Sequence, residues 1–78
     1  EELIMIQGII DAFFYEGDDI VLVDYKTDFV MKGQEEKLAE RYKTQLDYYA
    51  RALESVTGKR VREKLIYSFS LGKIIEVG

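Results

Sequence analysis

The chain of 78 residues contains no cysteine, no histidine, no proline and no tryptophan. Without cysteine it forms no disulfide bond, and without cysteine and histidine it lacks the usual ligands of zinc fingers and iron–sulfur clusters. The same absence removes the thiol nucleophile and the imidazole base of hydrolytic triads. Any chemistry that this protein performs must therefore come from its carboxylates, lysines, tyrosines and glutamines.

Long hydrophobic runs are also absent, because no apolar stretch approaches the roughly 18 residues of a membrane-spanning helix. The amino end begins with Glu1 and Glu2 and lacks the basic flank of a signal peptide. Hydrophobic residues make up 47% of the chain and charged residues 33%, a composition typical of one compact domain. We expect a soluble, intracellular protein, and the missing first methionine suggests a piece of a longer chain.

A net charge of −4 argues against a protein that binds nucleic acid through bulk positive charge. It does not exclude nucleic acid as a substrate. An enzyme that holds phosphates through a divalent metal needs surplus carboxylates at its site, and these lower the formal charge.

The hydrophobic pattern predicts two strands, one long helix and two further strands. Runs of β-branched and aromatic residues alternate with turn residues, and one segment has the apolar period of a helix, with Gly58 placed to end it. The expected elements are strand Leu3–Tyr15, a turn at Glu16–Asp19, strand Ile20–Thr27, helix Gln34–Val56, strand Val61–Phe69 and strand Ile74–Val77. This order predicts an α/β fold with one helix packed on a sheet.

Two aspartates interrupt apolar runs in the first predicted hairpin. A short loop centred on Gly17 and Asp18 places Asp11 directly opposite Asp24, where side chains approach to roughly 4.5–5.5 Å and like charges destabilise a sheet. A divalent cation bound between the two carboxylates would remove this repulsion. The alternative for Asp11 is a bulge or an edge position.

Lys26 lies two residues beyond Asp24, so both side chains project from the same face of the strand. The carboxylate could hold a metal while the ammonium reaches the attacking water or the scissile phosphate. The alternative is an ordinary ion pair at the end of a strand. We favour a site because Asp11, Asp24 and Lys26 coincide on one predicted face.

The helix carries a polar side chain, Gln45, which the wheel places in the middle of its apolar face, with Tyr49 one turn further on. Either Gln45 reaches the edge of the helix, or this face directs Gln45 and Tyr49 towards the carboxylates. Arg41 precedes Gln45 by one turn and is the best candidate for a phosphate contact, although a solvated basic face is the default interpretation.

The ordered motifs Gly8–Asp11, Asp24–Thr27 and Gln45–Ala50 resemble those of the RecB-family nucleases of the PD-(D/E)XK superfamily. The flanking residues, over nearly the whole chain, look like the nuclease domain of the bacterial AddAB-type helicase–nucleases. The resemblance implies a restriction-endonuclease-like β-β-α-β-β core with a mixed sheet. It also implies hydrolysis of DNA phosphodiesters, as an exonuclease, in double-strand break repair and recombination.

The resemblance further assigns roles to individual residues. Asp11, Asp24 and the backbone carbonyl of Tyr25 would bind Mg²⁺, for which Mn²⁺ can substitute. Lys26 would orient the attacking water, while Gln45 and Tyr49 would complete the site and contact DNA. The alternative is a RecB-like module that binds DNA or a partner protein without cutting, and a purely structural α/β module is a further one.

The expected partners are DNA and, in the larger protein, a second helicase–nuclease subunit of the AddB type, in the bacterial cytoplasm at the nucleoid. No Gly-rich Walker loop occurs in the chain, so ATP binding and helicase activity would belong to other parts of that protein. Nucleases of this family carry a helix before the first strand with a further site residue, often histidine. We therefore expect residues 1–78 to be one nuclease-core domain taken from a longer helicase–nuclease.

Overall fold

The computed structural model describes residues 3–5 and 12–78, and within them five strands form one sheet on which a single helix packs. The strands and the helix follow one another along the chain in the order β-β-β-α-β-β. Their bounds are β1 Leu3–Met5, β2 Ala12–Glu16, β3 Asp19–Lys26, α1 Glu35–Thr57, β4 Val61–Ser68 and β5 Lys73–Glu76. The predicted α/β class is confirmed.

The sheet is mixed, and its strands lie side by side in the order of the sequence. Strands β3 and β4 are parallel, whereas the other neighbouring pairs are antiparallel. Parallel neighbours need a long crossover connection, and α1 supplies it between β3 and β4. The end of β3 therefore lies in the interior of the sheet, with the helix that follows it close by.

The hairpin of β2 and β3 has the register that the sequence predicts. Ala12 pairs with Val23 and Glu16 with Asp19, around a turn in which Gly17 adopts φ 63°, a left-handed conformation that favours glycine. The prediction of one strand over Leu3–Tyr15 is wrong. Leu3 pairs antiparallel with Phe14, so this stretch contributes two strands, and its length already exceeded that of an ordinary strand.

Helix α1 begins and ends within one residue of the predicted bounds. Gly58 follows its last turn with φ 70°, and the amide of Gly58 donates to the carbonyl oxygen of Glu54 at 2.9 Å. The helix packs against β4 and β5. Val56, expected on its apolar face, is 84% exposed because the face that packs on the sheet ends at Leu53.

The core lies between α1 and one face of the sheet. Its most deeply buried side chains, each with 0% exposure, come from both layers: Ile20, Leu22, Leu46 and Ile66. Ala50 and Leu53 extend the core towards the end of the helix. Among the described residues, no helix combines the length and the hydrophobicity needed to cross a membrane.

Candidate metal and catalytic site

The site begins where the apolar face of β3 becomes polar. Strand alternation directs every second residue towards α1, first Ile20 and Leu22 in the core and then Asp24 and Lys26. Asp24 is only 3% exposed, and its carboxylate oxygen Oδ2 lies 3.0 Å from Nζ of Lys26. The predicted common face of these two side chains is confirmed.

Tyr42 of the helix covers the lysine. The ammonium nitrogen of Lys26 lies 4.1 Å from the centre of the Tyr42 ring, within the range of a cation–π interaction. The side chain of Lys26 keeps 17% of its surface exposed. The ammonium is therefore held between a buried carboxylate and an aromatic face, with one side open to solvent.

Asp28, two residues beyond Lys26, fixes the tyrosine in place. The hydroxyl of Tyr42 donates to Oδ2 of Asp28 at 2.8 Å, and the Arg41 guanidinium donates to the same oxygen at 2.9 Å. The hydrogen bond from Tyr42, assisted by Arg41, lowers the pKa of Asp28. The same hydrogen bond, which holds the phenol in its neutral form, raises the pKa of Tyr42.

Tyr25 lies between Asp24 and Lys26 but belongs to the other face of the sheet. Its ring stands 6.2 Å from the ring of Tyr67 and 6.0 Å from that of Phe69. The side chain is therefore occupied in an aromatic cluster away from the helix. Only the backbone carbonyl of Tyr25 is available for the ligand role that the resemblance implies.

Gln45 and Tyr49 interact with each other on the helix, where the Gln45 amide donates a hydrogen bond to the Tyr49 hydroxyl. Gln45 follows Tyr42 by three residues, so the two are neighbours on the helix surface. Gln45 is half-buried and not at the centre of the apolar face as predicted. The helix buries Ala50 instead, about 140° around the axis from Gln45 at about 100° per residue.

The predicted metal ligands are only partly within the described residues. Asp11 lies outside them, so its pairing with Asp24 stays a prediction. Residues 3–5 and 12–78 contain no group of three or more carboxylate, imidazole or thiol side chains arranged to hold a metal ion. The donors that are described, the Asp24 carboxylate and the Tyr25 carbonyl, are oxygen atoms suited to Mg²⁺ or Mn²⁺, and a complete site would need Asp11 as well.

Sequence reasoning missed the contributions of Tyr42 and Asp28 and treated Tyr42 as a member of the core. A signal for Asp28 was present, since it continues the alternation of Asp24 and Lys26 by two residues. Nothing in the periodicity of the helix separates a tyrosine that fills a core from one that covers an ammonium. Arg41 binds a carboxylate, although its side chain remains 62% exposed and keeps other donors for a phosphate.

Comparison with known proteins identifies close relatives, all of them AddA proteins, the first of the two subunits of ATP-dependent helicase/nucleases. The chain is 56% identical over 75 residues to the AddA protein of a Thermoanaerobacter species, covering 96% of this chain. The proteins of the same name from Clostridium novyi and Ruminiclostridium cellulolyticum are 57% and 49% identical over 97% and 99% of the chain. The chain spans 6% of the length of these curated relatives. No protein-family model matches it.

Proposed function

Because this chain is similar, over nearly its whole length, to a segment of the AddA proteins of ATP-dependent helicase/nucleases, we propose that it forms the core of a metal-dependent DNA nuclease. In this proposal the chain hydrolyses DNA phosphodiesters, as the exonuclease part of a helicase–nuclease that acts in double-strand break repair and recombination. Its partners are DNA and a second, AddB-like protein, in the bacterial cytoplasm.

The observation that carries the proposal is the buried pair of Asp24 and Lys26 at the end of the central strand. A carboxylate that is 3% exposed in a sheet position otherwise suited to valine or isoleucine is costly, because burial of a charge has to be offset by partners. Such a pair is a poor choice for stability alone. It is well suited to a site that binds a cation and a phosphate.

The proposed metal ligands are Asp24, Asp11 and the carbonyl of Tyr25, an all-oxygen set that favours Mg²⁺. Bound there, the cation would supply Lewis acidity towards the phosphate and lower the pKa of a water molecule. Pairing of Asp11 with Asp24 is the continuation of the hairpin register that is observed from Ala12 and Val23 onwards.

Lys26 is proposed as the catalytic lysine. When a phosphate enters, its ammonium can donate hydrogen bonds to a phosphate oxygen and to the attacking water, and so stabilise the charge that develops in the transition state. The ring of Tyr42 limits the positions that the ammonium can occupy. This restraint reduces the reorganisation needed when the substrate binds.

Gln45, Tyr49 and Arg41 are proposed as contacts to the DNA. The Gln45 amide and the Tyr49 hydroxyl form a hydrogen-bonded pair that offers both a donor and an acceptor. Arg41 is oriented by Asp28, and its exposed donors can bind a phosphate oxygen. All three lie on α1, the element that contacts Lys26 through Tyr42.

Metal binding can be tested by the thermal midpoint of unfolding with and without Mg²⁺. Mg²⁺ should raise the midpoint of the unaltered chain by about 4–8 °C for each kcal/mol of binding free energy. Asp24→Asn should abolish this rise, because the amide cannot replace a charged ligand. Asp18→Asn, in the exposed turn, is the matched control and should retain it. An equal rise in Asp24→Asn would contradict the proposed site.

Cleavage of labelled DNA in the presence of Mg²⁺ tests the role of Lys26. Lys26→Gln keeps a hydrogen-bond donor beside Asp24 but removes the charge, and it should slow cleavage by about 100- to 1,000-fold. Lys73→Ala, which removes an exposed lysine on β5, should cleave at the normal rate. A Lys26→Gln variant as fast as the unaltered chain would refute the assignment.

A further inference from the structure

Phe29 is the most exposed large hydrophobic residue among those described, with 85% of its surface accessible. It lies three residues beyond Lys26, between two residues whose positions are fixed. On one side Asp28 binds Arg41 and Tyr42. On the other side the Val30 amide donates to Oγ of Ser70 at 3.0 Å, and this hydroxyl lies 3.2 Å from the Val30 carbonyl oxygen.

The two anchors give Phe29 a defined place in spite of its exposure. Val30 is 8% exposed and belongs to the core, and Asp28 is tied to the helix. Because the backbone is held on both sides of Phe29, its ring is presented to solvent by an ordered segment. A single exposed phenylalanine is common in proteins and by itself indicates nothing.

What distinguishes Phe29 is the surface beside it. The ring borders a small cleft of about 60 Å³ against the first turns of α1, which we call the Phe29 cleft. Its walls contain apolar, amide and basic side chains: Phe29, Val30, Gln34, Lys37, Leu38 and Arg41. The cleft is therefore aromatic on one side and positively charged on the other.

The two cations are positioned together by the helix. Lys37 and Arg41 are four residues apart and so lie one above the other on the same side of α1. Lys37 is exposed and forms no ion pair within residues 12–78, while Arg41 shares one of its donors with Asp28. An overall net charge of −4 makes this local pair of cations a distinct feature of the surface.

An aromatic ring next to two cations is complementary to one chemical class, a nucleotide whose base is not stacked in a duplex. The base stacks on the ring, and the phosphates next to it contact the cations. A paired base inside a double helix presents no free face to a side chain. The cleft is thus matched to an unpaired strand and not to a closed duplex.

We propose that the Phe29 cleft binds an unpaired nucleotide of the DNA strand close to the cleavage site, with Phe29 stacking on the base and Lys37 and Arg41 holding its phosphates. This inference rests on the proposed function, because it takes DNA as the ligand. It adds Phe29 and Lys37 as binding residues, which neither the motifs nor the carboxylate site require.

The absence of tryptophan from the chain allows a direct test of stacking. Phe29→Trp introduces a single indole at the cleft, and a single-stranded oligonucleotide in metal-free buffer should quench its fluorescence. A closed hairpin duplex should not. Val56→Trp, equally exposed near the other end of α1, is the matched control and should be quenched by neither probe. Equal quenching of the two variants would overturn the proposal.

Two further variants separate the roles of the ring and the charge. Phe29→Ala should weaken binding of the oligonucleotide about tenfold with no change in thermal midpoint, since the ring is exposed. Lys37→Ala should lower the slope of log affinity against log salt concentration by about 0.7, the value for one phosphate contact on a single strand. Lys59→Ala, an exposed lysine beyond the end of the helix, should leave that slope unchanged.

These outcomes are distinguishable from failure of the nuclease proposal, because binding is measured without metal and without cleavage. Normal affinity in Phe29→Ala, together with intact Mg²⁺ binding at Asp24, would overturn the cleft and leave the nuclease proposal standing. An emission shift in Phe29→Trp that depends on protein concentration and not on the oligonucleotide would identify a protein contact and would also overturn it. Quenching without any Mg²⁺ binding would support the cleft and refute the metal site.

Discussion

The two halves of β3 present their alternate side chains to the same helix, yet they differ completely in polarity. The first half buries Ile20 and Leu22 with 0% exposure. The second half places Asp24 and Lys26 on the same face, with the carboxylate buried almost as deeply. One strand therefore supplies both the centre of the core and the centre of the candidate site.

The difference shows which half serves stability. Burial of aliphatic side chains is the main favourable contribution to folding. A buried ion pair has to overcome the desolvation of two charges and is often less stable than an apolar pair of similar size. The first half therefore stabilises the fold, and the second half retains charges that folding alone does not need.

Leu22→Ala is expected to have the largest effect on stability. Removing a fully buried leucine should lower the free energy of unfolding by about 2–5 kcal/mol, through lost burial and the cavity that remains. Urea unfolding followed by circular dichroism measures this change. Val56→Ala, at an exposed position, should change stability by less than about 0.5 kcal/mol. Similar losses in both variants would break the distinction between core and surface.

Replacing the charged pair by apolar residues should have the opposite sign. A double variant with Asp24→Val and Lys26→Met should unfold with a free energy about 1–4 kcal/mol higher in metal-free buffer, because two desolvated charges are removed. The same variant should lose all stabilisation by Mg²⁺. If it is clearly less stable than the unaltered chain, the pair contributes to the fold and the contrast between the two halves of β3 is wrong.

Tyr42→Phe removes the hydroxyl but keeps the ring over Lys26. It should cost about 1 kcal/mol, the usual contribution of one hydrogen bond, here to Asp28. The loss should also depend on pH. Since the pKa of Asp28 is lowered in the folded state, its contribution is complete above about pH 4 and disappears as the pH falls through the lowered value.

At the alkaline end the sign is reversed. The pKa of Tyr42 is raised, so its contribution is complete below about pH 10 and disappears as the pH rises through the raised value. Chemical unfolding across the pH range should therefore show the cost of Tyr42→Phe at neutral pH and its disappearance at both extremes. A cost that stays constant with pH would mean that the hydroxyl acts by packing alone.

The smallest effect is expected from an exposed ion pair at the other half of the helix. Lys43 binds Asp47 one turn away at 2.8 Å, with the lysine side chain 51% exposed. Lys43→Ala should lower stability by only about 0.3–0.5 kcal/mol, and high salt should remove the difference. A larger and salt-independent loss would show that exposed pairs in this chain also have a structural role.

Much of the fold follows from the sequence because its signals are local. The turn at Gly17 fixes the register of the hairpin, and the apolar period together with Gly58 fixes the helix. The division of Leu3–Tyr15 into two strands was not predictable in this way. Strand propensity identifies extended chain, whereas the choice of partner depends on contacts between residues that are distant in sequence.

The site shows the same limit. Alternation along a strand was sufficient to bring Asp24 and Lys26 together. The position of Tyr42 over Lys26 depends on how α1 is rotated against the sheet, and that rotation is decided by Ala50 packing closely in the core. A wheel that weighed only large apolar residues placed Gln45 too near the centre of the buried face.

A crystal structure of the chain soaked with Mn²⁺ tests the central claim most directly. The account predicts an anomalous peak within about 2.0–2.3 Å of the Asp24 carboxylate, the Asp11 carboxylate and the Tyr25 carbonyl. Crystals of Asp24→Asn should lack that peak. An unaltered chain without a peak at Asp24, in which the Lys26 ammonium still contacts the carboxylate and Asp11 lies elsewhere, would contradict it.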